Sequence, residues 1–436
     1  MAKFIQVDPE LKMNATLKVI GVGGGGCNAI DYMIQKGLSN VDYIGVNTDV
    51  QVLESCLAPH KIAVGVKTTR GLGAGANPTV GKKAVEDDKD KIIEVLRGCD
   101  MVFITAGMGG GTGTGGAPVV ASLAREMGIL TVAIVTKPFR WEGHQKMKYA
   151  ERGIQELKSS VDSLIVIPNE RLIGILDKNT SAFQAFDKPN EILYEATRGI
   201  AEIILIKGMI NVDFADVKSV MDKSGVALMG TGTASGENRA VEAAQKAISN
   251  PLLEGVSIKG AKSILVNITG SGNLTIHEVY EGNKVIFEAA GDEAHVIFGC
   301  VRKDEMSDFV SYTVIATGFD REAGIIPKPE ISEINNNGFG GSHSSFSKSA
   351  IEENDSDNEN LDLERPAILR SGHSNARKVR AVKAAETEQP SLNFDGMMSS
   401  PLEDTFKRTR QNPIRNSADD EDEDDAASSL LRIMLD

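Results

Sequence analysis

MVFITAGMGGGTGTGG, Met101 to Gly116, joins an apolar run of strand length to a run of glycines interleaved with Thr112 and Thr114. A helix is expected to open near Ala117. Glycines in this position offer consecutive backbone N–H donors and a close approach that a Cβ would block, and the two hydroxyls suit phosphate oxygens. A flexible hinge is the plain alternative. A second junction lies upstream, where LKVIGVG (17–23) runs into GVGGGGCNA (Gly21 to Ala29), a G-x-G-x-x-G spacing followed by helical periodicity at Ala29, Ile30, Met33 and Ile34. Alone, this motif fits a nicotinamide dehydrogenase, with Asp42 or Asp49 as its ribose-binding acid, as well as a nucleoside triphosphatase. Met101–Gly116 separates the two: a dehydrogenase needs one such loop, whereas two anion cradles at the carboxyl ends of parallel strands suit a triphosphate held from both sides. No G-x-x-x-x-G-K-[ST] is present, which excludes an ordinary P-loop with its lysine.

Outward from these junctions, strand-like runs recur at DYIGVN (42–47), ILTVAIVTKPF (129–139) and SLIVIP (163–168), with helical stretches between them. Strands apolar on both faces that alternate with helices predict a mostly parallel α/β sheet. After Asn190, EILYEATRGIAEIILIKGM reads as one long helix ending at the loop NVDFADV. Beyond it AKSILVNITG, NKVIFEAAG, AHVIFGCV and YTVIATGF read as strands of a second domain, α+β with a mixed sheet.

The chain has 436 residues, long enough for two or more domains, and a net charge of −14. That balance argues against charge-driven binding to nucleic acid or an anionic membrane surface. Cys27, Cys56, Cys99 and Cys300 lack metal-ligand spacing, so neither a zinc site nor a disulfide framework is indicated, and a reducing, cytoplasmic setting is expected. The N-terminal stretch has no apolar core of a signal peptide, and no run of about 18 apolar residues occurs, so direct membrane insertion is not expected. Residues 321–436 carry 23 acidic against 14 basic side chains and no Trp or Tyr, a composition that predicts a disordered tail. LERPAILR (363–370) and SSLLRIMLD (428–436) interrupt it and could each dock on a partner as a short helix; residual hydrophobicity in a linker is the alternative.

GGGTGTG is a signature of the tubulin/FtsZ family, and the chain resembles that family, its bacterial cell-division branch in particular, over about residues 15–318. NTD (Asn47 to Asp49), GLGAGANP (Gly71 to Pro78), VTKPF (Val135 to Phe139), IPNERL (Ile167 to Leu172) and NVDFADV (Asn211 to Val217) occur in the family's order. The resemblance implies a Rossmann-like parallel-sheet GTPase domain (16–186) after an N-terminal extension (1–15), a central helix (187–210), a C-terminal α+β domain bearing a catalytic loop (211–320) and a linker and partner-binding tail (321–436). It also implies GTP or GDP at Gly24, Gly25, Gly26, Cys27 and Asn28 and at Gly110, Gly111, Thr112, Gly113 and Thr114, with Glu142 on the ribose. Lys146 stands where the family usually has arginine, keeping the charge but not the planar fork.

The resemblance also implies base recognition by Phe186 and Asn190, with Asn169 nearby: a ring can stack on the purine and amides can read its edge. The competing reading makes Phe186 core and Asn190 an N-cap. Neither glycine loop supplies a group to activate water. The candidates are Asn211, Asp213 and Asp216, which the long helix carries away from the nucleotide, so the resemblance implies head-to-tail stacking in which one subunit's loop covers the next subunit's GTP. Mg²⁺ is the expected counterion on the phosphates. The alternative role for Asp213 and Asp216 is a capping box. The family resemblance thus implies a self-assembling GTPase of the division ring, at the septum, recruiting membrane-tethering and regulatory division proteins through Pro366–Arg370 or 428–436. Its competitors are a nucleotide-bound filament protein with little hydrolysis and, third, a Rossmann-type oxidoreductase.

Overall fold

The computed structural model describes residues 15–319 except 175, 178, 207 and 254–257. Both tail peptides and the first 14 residues lie outside them. In chain order the first half comprises β1 (Leu17–Val22), α1 (Gly23–Gln35), β2 (Asp42–Asn47), α2 (Val50–Ser55), β3 (His60–Ala63), α3 (Val66–Thr69), α4 (Pro78–Asp87), α5 (Lys89–Leu96), β4 (Met101–Gly107), α6 (Thr112–Glu126), β5 (Leu130–Lys137), α7 (His144–Ser160), β6 (Ser163–Pro168) and α8 (Asn169–Leu172). Helix α9 (Ala182–Leu205) then leads to α10 (Phe214–Met221), β7 (Gly225–Ala234), α11 (Arg239–Ile248), β8 (Ser263–Gly270), α12 (Ile276–Ala290), β9 (His295–Arg302) and β10 (Val310–Thr317).

The strands form one sheet of ten in the order β3-β2-β1-β4-β5-β6-β7-β10-β8-β9. The first six are all parallel. One apolar core lies on the face covered by α1, α9 and α10, where Ile30, Met33, Ile192, Ile200 and Val217 pack on Val19, Phe103 and Val132; another, under α4 to α7, gathers Val85, Ile92, Val120 and Leu157 on Ile20, Ile104 and Ala133. Strands buried on both faces explain why these runs read as unbroken apolar stretches. The second part is mixed: β10 is antiparallel to β7 and β8, and β9 is parallel to β8. It is not a separate sheet, because Ser163–Ile165 of β6 pair in parallel with Gly225–Ala227 of β7.

Several local expectations are corrected. The first glycine run is not a loop but the opening turn of α1; in the second, residues 108–111 do form a turn after β4, but α6 opens at Thr112 rather than near Ala117. Glycine is a poor helix former, but here packing overrides propensity: a Cβ on Gly115 would lie 1.9 Å from the Pro78 carbonyl oxygen of α4. NKVIFEAAG lies in α12, not a strand. Its buried residues Val279, Gly282, Asn283, Ile286 and Ala290 fall at helical spacing, and Thr275 and Glu278 close a reciprocal capping box. The central helix starts at Ala182, earlier than 187, and ends at Leu205. Ser181 caps it with Gln184, and Pro189 is accommodated within it, so Asn190 is no N-cap. Strands β3 and β7 and helix α11 had no counterpart in the sequence reading.

Candidate nucleotide site

In the order β3-β2-β1-β4-β5-β6, the sense of strand succession reverses between β1 and β4: β1 continues through α1 to β2 on one side, and β4 through α6 to β5 on the other. The crevice at the carboxyl ends of these two strands is the place where open α/β sheets take ligands. Each strand passes almost directly into its helix. At Gly23 the backbone turns with φ +75°, and a Cβ there would lie 2.8 Å from the Gly113 nitrogen, so the two helix N-termini touch. The first turn of a helix leaves N–H groups without intrahelical acceptors and carries the positive end of the dipole. Two such termini side by side make an anion site from backbone alone.

Gly24, Gly25 and Asn28 form the partly open side of α1, with Gly24 and Asn28 one turn apart. Cys27 is 1% exposed, its side chain packed in the core and its thiol pushed up by a hydrogen bond to the Cys56 thiol and by burial. Around α6 three motifs meet. The Thr112 and Thr48 hydroxyls lie 2.6 Å apart, joining the signature turn to NTD. Thr114 Oγ1 accepts from the Gly109 N–H at 2.7 Å, leaving its own proton to give. A Cβ on Gly111 would stand 2.7 Å from Ala74 Cβ and 3.0 Å from the Asn77 nitrogen, so GLGAGANP lies against the same turn as Gly110 and Gly113. Asp49 is engaged as the N-cap of α2, accepting from the Gln51 and Val52 N–H groups. Asp42 begins β2, at the opposite edge of the sheet. Neither is placed as a ribose acid.

After β5 comes an aromatic cluster. Phe139 stacks on Trp141 with centroids 5.4 Å apart, and Phe186 of α9 meets both edge-on at 5.6 Å. Glu142 accepts from the Phe139 N–H at 2.7 Å and pairs with Lys146 at 2.9 Å. Phe186 and Asn190, four apart on α9, share a helix face. Asn169 at the start of α8 is buried with its Oδ1 unpartnered, and Asn47 at the end of β2 is wholly buried with its Nδ2 unpartnered. An unmade buried hydrogen bond costs about 1–3 kcal/mol. Free amide ends beside backbone donors and an aromatic cluster fit a ligand that offers phosphates, a ring and hydrogen-bonding edges.

Asn211, Asp213 and Asp216 are not brought to this crevice. They lie exposed beyond the C-terminal end of α9, whose stretch from Asn190 to Leu205 alone spans about 22 Å. Asp213 is the N-cap of α10, accepting from the Asp216 N–H at 2.8 Å; Asp216 does not close the box in return.

Residues 16–177 match the model of the tubulin/FtsZ family GTPase domain, and 225–320 that of the FtsZ family C-terminal domain. An FtsZ dimer of M. jannaschii, described as empty, is 41% identical with a TM-score of 0.67 over 70% of this chain and 89% of that one. The chain belongs to the tubulin/FtsZ family. A point mutant of M. jannaschii FtsZ is also 41% identical, with a TM-score of 0.67, covering 70% of this chain and 92% of that one. CetZ2 from Haloferax volcanii, a GTPγS-bound protofilament, shares the fold at 22% identity and a TM-score of 0.60 over 70% and 94% of the two chains. Membership of the FtsZ group brings guanine-nucleotide binding and GTPase-type activity. Among the described residues no helix is long and apolar enough to cross a membrane.

Sequence reading missed Thr48, Asn47, Phe139 and Trp141 as parts of this crevice. VTKPF and NTD were seen as family motifs, but neither discloses that its side chains meet the signature turn or the ring of Phe186.

Proposed function

We propose that the chain binds GTP across the β1/β4 crevice and stacks head to tail, and that Asp213, Asp216 and Asn211 of one subunit complete the site on the next. The observation that carries this reading is the separation along α9: phosphate donors and aromatic cluster at one end, exposed carboxylates at the other. A heterologous contact of this kind does not close on itself and so generates filaments. The solved dimer and protofilament of related proteins support self-association.

In this reading the backbone N–H groups of Gly24, Gly25, Gly26, Gly110, Gly111 and Gly113 hold phosphate oxygens, with Cys27 and Asn28 in the turn that comes next and Thr112 and Thr114 adding hydroxyls. Glu142 and Lys146 face the ribose, Phe186 stacks on the guanine, and Asn169 and Asn190 hydrogen-bond its edge. Mg²⁺ arrives on the triphosphate as part of the substrate. The incoming Asp213 and Asp216 position and polarise the attacking water. Loss of the γ-phosphate then removes charge that the neighbouring loop had met, and the contact weakens. Residues 16–186 act as the nucleotide part and 211–320 as the part presenting the acid loop, joined by the central helix. The filament forms the division ring at the septum, and the tail, through Pro366–Arg370 or 428–436, recruits membrane-tethering and regulatory proteins.

A second reading, a nucleotide-bound filament protein with little hydrolysis, draws on Asp213 being engaged as a helix cap. Light scattering with simultaneous phosphate release separates the two: GTP, not GDP, should raise scattering, with phosphate appearing alongside. Scattering without phosphate would favour the second reading.

A further inference from the structure

The last turn of α9 carries a buried charge that the nucleotide crevice does not use. Glu202 is 3% exposed, and Lys303, just after β9, donates to its Oε1. Arg198, one turn back on α9, approaches the same oxygen at 3.8 Å and stacks on the Tyr194 ring at 5.3 Å. Oε2 of Glu202 and Nε of Arg198 have no hydrogen-bond partner. A buried carboxylate addressed at one oxygen by two cations is a poor way to stabilise a fold, since apolar groups of like volume in such places are often neutral or better.

Its location gives it a use. The strand that leads into Lys303 holds the chain again a few residues on: the Met209 N–H donates to the Cys300 carbonyl at 2.8 Å, and the Cys300 N–H to that of Ile210 at 3.0 Å. The arc from Glu202 to Ile210 is thus fastened at both ends to residues 300–303, and Asn211 comes directly after it. Lys303 is fixed in turn, its N–H donating to the Gly270 carbonyl at 2.8 Å.

We propose that the Glu202–Lys303 pair is a positioning device for the acid loop, setting where Asp213 and Asp216 stand when they meet a neighbour's nucleotide. This rests on the reading in which two subunits share one site. Neither residue touches substrate.

The test uses the full chain and four variants: Lys303→Met, Lys303→Arg, the double variant Glu202→Leu/Lys303→Met, and Asp213→Ala as control. Phosphate release per sedimented subunit, GTP affinity of the dilute chain and melting temperature are measured together. Lys303→Met and the double variant should lose turnover roughly ten- to hundredfold, since a misplacement of about 1 Å can cost a factor of about 100. Their GTP affinity and assembly should stay at wild-type level, Lys303→Arg should keep most turnover, and the double variant should melt no lower than wild type. A double variant that hydrolyses at the wild-type rate overturns the proposal. So does loss of assembly or of GTP affinity, which would make the pair a contact or a pocket element. Asp213→Ala with normal turnover would bring down the shared-site reading itself; a dead Asp213→Ala beside a normal double variant fells only the positioning role.

Discussion

The two ends of helix α9 are built on opposite principles. At the β1/β4 crevice the centre is buried and tightly built: the starts of α1 and α6 touch at Gly23 and Gly113, Thr48 meets Thr112 at 2.6 Å, and Asn47 and Asn169 hold unpartnered amide atoms. Past Leu205, Asn211, Asp213 and Asp216 stand in solvent, with Asp213 capping α10. A receptor for a large anion is best prepared in advance, with donors fixed and dry. In the proposed reading, carboxylates that meet that anion are kept away from it until needed, since like charges repel. One chain can hold both only by separating them, and a rigid helix does so.

Breaking the acid end should have the largest effect. Asp213→Ala should keep GTP affinity and lose turnover on the order of 10²–10⁴-fold, the span of a lost general base. It should also cost α10 about 1 kcal/mol as a missing N-cap, read as a small drop in melting temperature. Asp213→Asn, which still caps, should restore the stability but not the rate. Breaking the crevice should act on binding instead. Gly111→Val must displace Ala74 and the Asn77 backbone, and overpacking of about 1–3 kcal/mol corresponds to a loss of GTP affinity of roughly ten- to hundredfold. Thr48→Val removes the hydroxyl partner of Thr112. At about 1 kcal/mol per buried hydrogen bond, GTP affinity should fall roughly fivefold in equilibrium titration.

A region outside both ends sharpens the contrast. The Arg239 guanidinium holds the Glu278 carboxyl down at about 2, below the ordinary glutamate range. A carboxylate depressed on folding stabilises above its unfolded pKa and loses that contribution as pH falls through the folded one. The melting-temperature gap between wild type and Glu278→Gln should therefore be full near neutrality and close as pH drops from about 4.5 toward 2, with turnover at neutral pH little changed. Loss of turnover would extend the active machinery to α11 and α12.

Most of the parallel sheet was legible because its strands are doubly buried and therefore continuously apolar. The helical part of the glycine runs was not, since a run of glycine carries the local signature of a loop; the close approach of α4 to α6 at Gly115, which leaves no room for a Cβ, is set by residues distant in sequence. NKVIFEAAG misled through its short apolar triplet, although Thr275 and Glu278 at capping-box spacing, with Val279, Ile286 and Ala290 beyond them, already spell a helix. The continuity of the sheet through β6 and β7 depends on a pairing some sixty residues apart, which no local pattern encodes. The Thr48–Thr112 contact is invisible for the same reason. The acid loop was legible as a helix start, and Asp213 does cap α10; its catalytic part is proposed because neither glycine turn supplies an acid.

The central claim is that the two ends of α9 act on one nucleotide only across a subunit boundary. GTP turnover per subunit, monitored over a dilution series through the onset of scattering, tests it most directly. The account predicts a rate close to zero below that onset and a steep rise above it; a rate per subunit that stays constant through the whole series would contradict it.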